Sequence, residues 1–408
     1  MRKLLNIDYG AIHGTYWMSF GVVYSFASVF LLAKGFNNSQ IGFIIAVGNL
    51  LAVAIQPFLA DFADRTKKIS LIGITEVMTV MLIVFTALMF AFKGASMALA
   101  TIYILTIAWI TILQPFFNTL NFKLQESGFY INFGVTRSFG SFTYAILCAV
   151  LGSVVEKYGV VVLPISGEIV LVLLLISLIF TKKHFDNAKR INKDKNLIRD
   201  NDITKEKINL IDFVKRHKMF FVVNVGVVGV FFSNQILNSF MLQIVNNVGG
   251  SSEDMGIVFS VLAFLEIPTL ICFDKLRKRF SCQSMLKVAS ICYTLEIGIC
   301  HLANSVTVII MAQFLQLFSF ALFMPSMVHF IDEIMSEGEA VKGQSLYVMM
   351  TTITTIIGSV IGGIVIDYFG VSTLTLISTI VTAIGAVIMI CTVNRVENKR
   401  QCLDKLKS

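Results

Sequence analysis

Arg137 and Tyr144 stand seven residues apart in an apolar stretch, so in a helix they share one face about two turns apart. A guanidinium offers a fork of donors suited to vicinal hydroxyls, and a phenol ring stacks on the apolar face of a pyranose. An arginine inside a bilayer span is costly, which makes Arg137 a functional candidate unless it snorkels to water from near the membrane edge. Glu266 sits near the middle of another apolar run, within Leu265-Glu266-Ile267-Pro268, where a carboxyl group must be protonated or paired. It is either a ligand or a structural group at a proline kink. Glu296 lies midway along its own run, with His301 five residues on and off its face. Amides recur at helical spacing: Asn234 and Asn238 four apart, then Gln313, Gln316 and Ser319 every three. In lipid such groups either glue helices together or bind a neutral polyol. This is binding chemistry. The chain has no H-E-x-x-H, no G-x-S-x-G and no paired intramembrane aspartates, so no enzyme is expected. Its seven cysteines show neither C-x-x-C nor zinc spacing, so neither a metal site, a structural disulfide nor a cofactor is expected.

Positioning these groups takes helices in lipid. Of 408 residues 56% are hydrophobic and 14% charged, 35 are phenylalanine, and the mean hydropathy is +0.79. A soluble protein of this length needs a larger charged surface, so the outer solvent is lipid. There, every backbone polar group must be satisfied internally, and continuous apolar runs without period-2 alternation select helices over a barrel. Six spans are predicted at 12–34, 40–62, 69–92, 97–121, 131–155 and 159–181. Six more follow at 219–246, 253–273, 283–303, 305–331, 343–366 and 370–393. The expected fold class is all-α integral membrane, with twelve transmembrane helices in two six-helix bundles. The bundles cover 1–181 and 219–393, separated by a basic linker, 182–218, and followed by a tail, 394–408. That linker reads as a flexible tether or as a surface helix on anionic lipid. Pro57 and Pro268 fall in the second span of each half, and Pro115 and Pro325 in the fourth, which hints at a repeated architecture.

The net charge of +8 is distributed by topology. With a cytoplasmic N-terminus, only Lys34, Lys93 and Lys157 of the 33 Lys and Arg fall outside, and Arg137 within a span. The positive-inside rule then places both termini and the linker in the cytoplasm. No aromatic-basic platform accompanies the charge, so no nucleic-acid partner is expected. The first apolar stretch starts near Ala11, runs the full spanning length and lacks a cleavage-like end, so no signal peptide is expected. The expected location is the inner or plasma membrane, multi-pass. Two six-helix halves about a charged loop is the layout of a secondary transporter that rocks around its solute.

Several segments resemble the major facilitator superfamily, and within it the lactose permease-like sugar:proton symporters (the MFS_1-like family). Tyr16-Trp17-Met18 through Phe26, Phe30-Leu31-Leu32 and Ser39-Gln40-Ile41-Gly42 look like that family's first two helices. Gln56-Pro57-Phe58-Leu59-Ala60-Asp61-Phe62-Ala63-Asp64-Arg65-Thr66-Lys67-Lys68 resembles the superfamily's loop signature, with Ala60 where glycine is usual. There Asp64, with Arg65, reads as a gating latch or a plain solvated charge cluster. Phe133-Gly134-Val135-Thr136-Arg137-Ser138-Phe139-Gly140, then Tyr144 and Cys148, resembles the fifth helix, whose arginine and aromatic ring hold a galactoside. The eighth-helix likeness implies that Glu266 binds both sugar and proton. The carboxylate that the family sets against the arginine is replaced by Asn118, which accepts a hydroxyl but does not neutralise Arg137.

The likeness also shows altered coupling groups. The Asp–Lys pair across the seventh and tenth helices becomes Asn238 and Gln313, and a second pair maps to Gln235 and Thr351. Losing both members keeps the charge balanced. The tenth-helix His and Glu become Gln316 and Ser319, while Glu296 takes the place of a ninth-helix arginine. Coupling must then use Glu266, Glu296 and His301, or Glu76 and Glu168 in the first half; His13 and His329 read as packed residues. A proton is expected ahead of sodium, which a cluster of carboxylates and amides also ligates. The reading is a monomeric carbohydrate:proton symporter working by alternating access. Arg137, Tyr144, Asn118, Glu266, Gln316 and Asn238 would bind a small sugar-like solute; Glu266, Glu296 and His301 would carry the cation. The alternatives are an exporter of lipophilic or drug-like solutes on the same fold, its cavity lined by Phe and Met, and an uncoupled uniporter.

Overall fold

The computed structural model describes residues 2–66, 69–126, 133–191, 216–335 and 337–396. The first span is α1 (Arg2–Phe20), a π-helical turn at Gly21–Ser25, and α2 (Ala27–Ala33). The next five are α3 (Asn38–Arg65), α4 (Leu71–Leu88), α5 (Met97–Glu126), α6 (Phe133–Tyr158) and α7 (Val162–Ile191). The second half holds α8 (Lys218–Asn246), α9 (Ser252–Arg277) and α10 (Cys282–Leu302). Its tenth span is broken into α11 (Val306–Ala312), a 3-10 turn at Gln313–Leu317, and α12 (Phe320–Ile334). Last comes α13 (Glu337–Thr392), whose 56 residues are far too many for one crossing. It turns back at Gly370, where φ of 81° suits a residue without Cβ. The packing shows the reversal. Gln235 and Phe240 of α8 meet Gly358 and Gly362 in ascending order, whereas Gly226 and Gly229 meet Met389 and Gly385 in descending order. The arms of α13 are therefore the eleventh and twelfth spans. The helix of the sixth span runs on to Ile191, into the segment expected as linker; the rest of that segment to residue 215 and the tail from 397 lie outside the described residues.

The halves repeat one another. Asn37 and Gln40 form a reciprocal capping box at the start of the second span, and Ser251 and Asp254 do the same for the eighth. Ser70 caps the third span and Ser281 the ninth. The helical geometry breaks at Phe26 in the first span and at Phe240 in the seventh. The prolines fall into this scheme inside α3, α5, α9 and α12.

Three apolar clusters set the overall shape. One belongs to the first half and runs through Tyr9, Met78, Leu113 and Leu174. A second, through Val227, Leu286, Phe330 and Met389, belongs to the second half. Both lie towards the end of the bundle that carries the chain termini. The third joins the halves through Phe26, Ile41, Leu151, Phe240, Val258 and Leu374, at the opposite end, where Gly35, Gly159, Gly249 and Gly370 form the turns. Helices cross closely there: a Cβ on Gly42 would collide with the Ser359 carbonyl, and one on Gly256 with the Cys148 carbonyl. The polar pairs at the terminal end instead tie helices within one half: the ion pairs Lys182–Glu76 at 2.7 Å and Arg216–Glu339 at 3.2 Å, and a His184–Asp8 contact at 2.6 Å. The halves are sealed together at the turn end and separately packed at the terminal end.

Candidate functional site

Beneath that seal lies a cavity of about 270 Å³ shared by both halves. Trp17, Phe20 and Tyr24 of the first span give it an aromatic wall. Phe20 stacks on Tyr24 with ring centres 4.8 Å apart. Amides surround the rest: Asn49 and Gln114 from the first half, and Asn234, Gln235, Asn238 and Gln316 from the second. Thr111, Ser141, Tyr144 and Thr355 add hydroxyls, and among the described residues Glu266 is the one carboxylate in the lining.

Local irregularities place these groups. An α-helix carries a residue round its axis by a fixed angle, and the π turn at Gly21–Ser25 resets that angle partway up the first span. Trp17, Phe20 and Tyr24 already share one face by their three- and four-residue spacing, and within the π turn Ser25 Oγ reaches 2.7 Å from the Tyr144 hydroxyl. The Tyr24 hydroxyl takes a hydrogen bond from Asn49 Nδ2 at 3.1 Å and meets Gln235 across the seam. Gln235 commits both amide hydrogens, to Ser239 Oγ at 2.7 Å and to Ser359 Oγ at 2.8 Å. Its span-eleven partner is thus Ser359, two turns beyond the Thr351 that the family likeness implied. Ser141 Oγ donates to Glu266 Oε2 at 3.3 Å, a second bond between halves. Asn238 returns one amide hydrogen to the Asn234 carbonyl at 2.7 Å, and Thr111 Oγ1 is buried without a partner.

Of the expected substrate ligands, Tyr144, Glu266, Gln316 and Asn238 meet in this cavity. Asn118 is half-buried outside the lining; Gln114, one turn earlier on α5, is the fourth-span amide that reaches it. Arg137 lies on α6 one turn before Ser141, on the face that carries Tyr144, and its side chain lies outside the described residues. Glu296 is buried behind the cavity and accepts a hydrogen bond from Ser319 Oγ at 2.7 Å. His301 is set apart from it, 3.0 Å from Thr375 Oγ1. In the first half Glu76 pairs with Lys182, and Glu168 accepts from Thr86 Oγ1 at 2.6 Å, neither in the lining. His13 lies 2.9 Å from the Tyr9 hydroxyl and His329 stacks on Phe273, as packed residues do. In the gating segment Arg65 Nε bonds Asp61 Oδ1 at 2.8 Å, both groups exposed, and the Asp64 side chain lies outside the described residues. Among the described residues there is no cluster of His, Cys, Asp and Glu that would hold a metal.

The aromatic wall and Gln114 escaped the sequence reading. Asn49 escaped it too, and the two amides left a weak signal: Gln114 precedes a helix-interior proline, and Asn49 is a lone amide in a run otherwise apolar.

Solved structures give the fold its relatives. The nucleoside transporter NupG superposes with a TM-score of 0.75 at 15% identity, over 95% of this chain and 98% of its own. A bacterial homologue of the human lysosomal transporter Spinster, inward-facing and unoccupied, gives 0.67 at 13% identity, over 97% of each chain. No curated protein matches the sequence significantly. The family model of the MFS_1-like family matches residues 9–377, nearly the whole chain. A two-bundle membrane protein with a cavity between halves sealed at one end, matched along its length by that family, is a transporter belonging to the MFS_1-like family.

Proposed function

We propose that this transporter carries a small neutral solute rich in hydroxyl or amide groups, a sugar or a sugar-bearing nucleoside, by proton symport. The observation that carries the reading is the lining itself: among the described residues, an aromatic wall faced by six amides, with Glu266 the one carboxylate. Aromatic faces hold a pyranose or a nucleobase, amides pair with hydroxyls or base edges in either sense, and a carboxylate accepts two vicinal hydroxyls. The nucleoside transporter among the structural relatives adds weight to the nucleoside option. The basic residues favour the terminal end as cytoplasmic, which makes this conformation inward-open and the cell membrane the natural location. Arg137 falls on the helix face that carries Ser141 and Tyr144, and we assign it to the solute on that position and the family likeness. A second reading, a lipophilic solute, draws on an apolar pocket of about 190 Å³ that continues from Glu266 past Leu270, Met324 and Val328.

The test is uptake of labelled monosaccharides, disaccharides, nucleosides and a lipophilic dye into proteoliposomes, with and without an inward proton gradient. Accumulation of a sugar or nucleoside under the gradient is expected. Equilibration without accumulation would refute symport in favour of a uniporter, and transport of the dye alone would refute the polar solute.

A further inference from the structure

The tenth span gives up α-helical geometry over Gln313–Leu317, and Ser319 leaves it altogether at φ −87°, ψ −99°. Thr269, next to Pro268 on α9, donates to the freed Leu317 carbonyl at 2.8 Å and holds the break in place. The break lays three side chains in a row. Ser319 Oγ is 2.7 Å from Glu296 Oε2 and 3.0 Å from Gln316 Oε1. Glu296 and Ser319 are buried behind the cavity, while Gln316 lines it.

A serine hydroxyl has one hydrogen, and here it faces two acceptor oxygens. Two arrangements satisfy the row. With Glu296 charged, Ser319 donates to the carboxylate, and the Gln316 amide turns its N–H towards Ser319 and its carbonyl towards the cavity. With Glu296 neutral, the carboxylic O–H donates to Ser319, which donates to Gln316 Oε1, and the Gln316 NH₂ faces the cavity. The proton enters at Glu296 from solvent and no other bond changes. We infer that Glu296, Ser319 and Gln316 form a proton-set polarity switch, which decides whether Gln316 offers the solute a donor or an acceptor. The proposal deepens the symport reading and rests on its cavity. The titratable groups around Glu296 are Glu266 from α9, Cys292, Tyr293 and Cys300 along α10, and Tyr347 from α13 behind Tyr293.

The switch is read without any solute, by infrared difference spectroscopy of the full-length protein in lipid as pH is changed. The wild type should show a carboxylic C=O band that titrates together with a primary-amide band. Glu296→Gln should lose the amide response and the part of the carboxylic response not due to Glu266, and Gln316→Ala the amide response. The informative variant is Ser319→Ala: Glu296 should still titrate, but the amide should no longer follow it. An amide band that follows pH in Ser319→Ala, or a carboxylic band unchanged in Glu296→Gln, would overturn the proposal. Failure of labelled uridine and lactose to be transported would sink the solute reading and leave these spectra, and the switch, standing.

Discussion

Glu156 and Asp367 sit near the C-terminal ends of their own helices, where the helix dipole disfavours a negative charge. Each is explained by the opposite half. Asp367 accepts from the Asn38 backbone and side chain at 3.1 and 2.9 Å, and from the Ser39 backbone and hydroxyl at 2.7 and 2.6 Å, at the N-terminus of α3. Glu156 accepts from the Ser252 N–H at 3.2 Å, at the N-terminus of α9. A charge misplaced on its own helix is a sequence signal for a partner helix, legible once the repeat is recognised. Each cap is exposed, so its net contribution is about 1 kcal/mol. Replacing Asp367 with Asn should raise labelling of a cysteine placed at Val248 by an impermeant reagent added outside, by roughly fivefold, and Glu156→Gln combined with it should raise it further. Unchanged labelling in the double variant would show that the caps do not hold the seal. In the cavity, Tyr144→Phe removes the Ser25 bond but keeps the ring, so uptake should survive with stability lowered by about 1 kcal/mol. Tyr144→Ala should weaken solute binding about tenfold, and Arg137→Ala should abolish uptake while expression survives.

At the scale of elements, the spans were readable because hydropathy alone sets them: the predicted seventh, 219–246, is α8 to within one residue. The breaks were not. Nothing local marks Gln313–Ser319, since Pro325 lies more than a turn beyond; the break holds because Thr269, far away in sequence, donates to its Leu317 carbonyl. The π turn is equally non-local, secured by Ser25 against Tyr144. Four of the six residues expected to bind solute line the cavity: Glu266, Gln316 and Asn238 were legible because amide and acid side chains in lipid are rare enough to count, and Tyr144 by its two-turn spacing from Arg137. The aromatic wall did not stand out, because Trp17 and Phe20 resemble any lipid-facing ring in the sequence. Close crossings such as Gly152 against Gly256 follow from pairing that only the fold reveals. Gly256→Leu should force α6 and α9 apart, costing on the order of 1–3 kcal/mol and lowering the melting temperature. A melting temperature equal to that of the wild type would show that this crossing does not limit stability.

For the whole molecule, the design is a pair of separately packed wedges joined by common apolar contacts at the turn end. The alternating access proposed for it requires that joint to part and another to form near the termini, where charged side chains such as Asp61, Arg65, Arg277 and Glu333 leave less hydrocarbon to bury. The shared cluster of Phe26, Ile41, Phe240 and Val258 would then be wetted each time the carrier opens at the turn end. Hydrocarbon brought into contact with water raises heat capacity, so the free energy of facing out must bend with temperature rather than vary linearly. Chilling weakens the hydrophobic clasp, and the outward form should gain population in the cold.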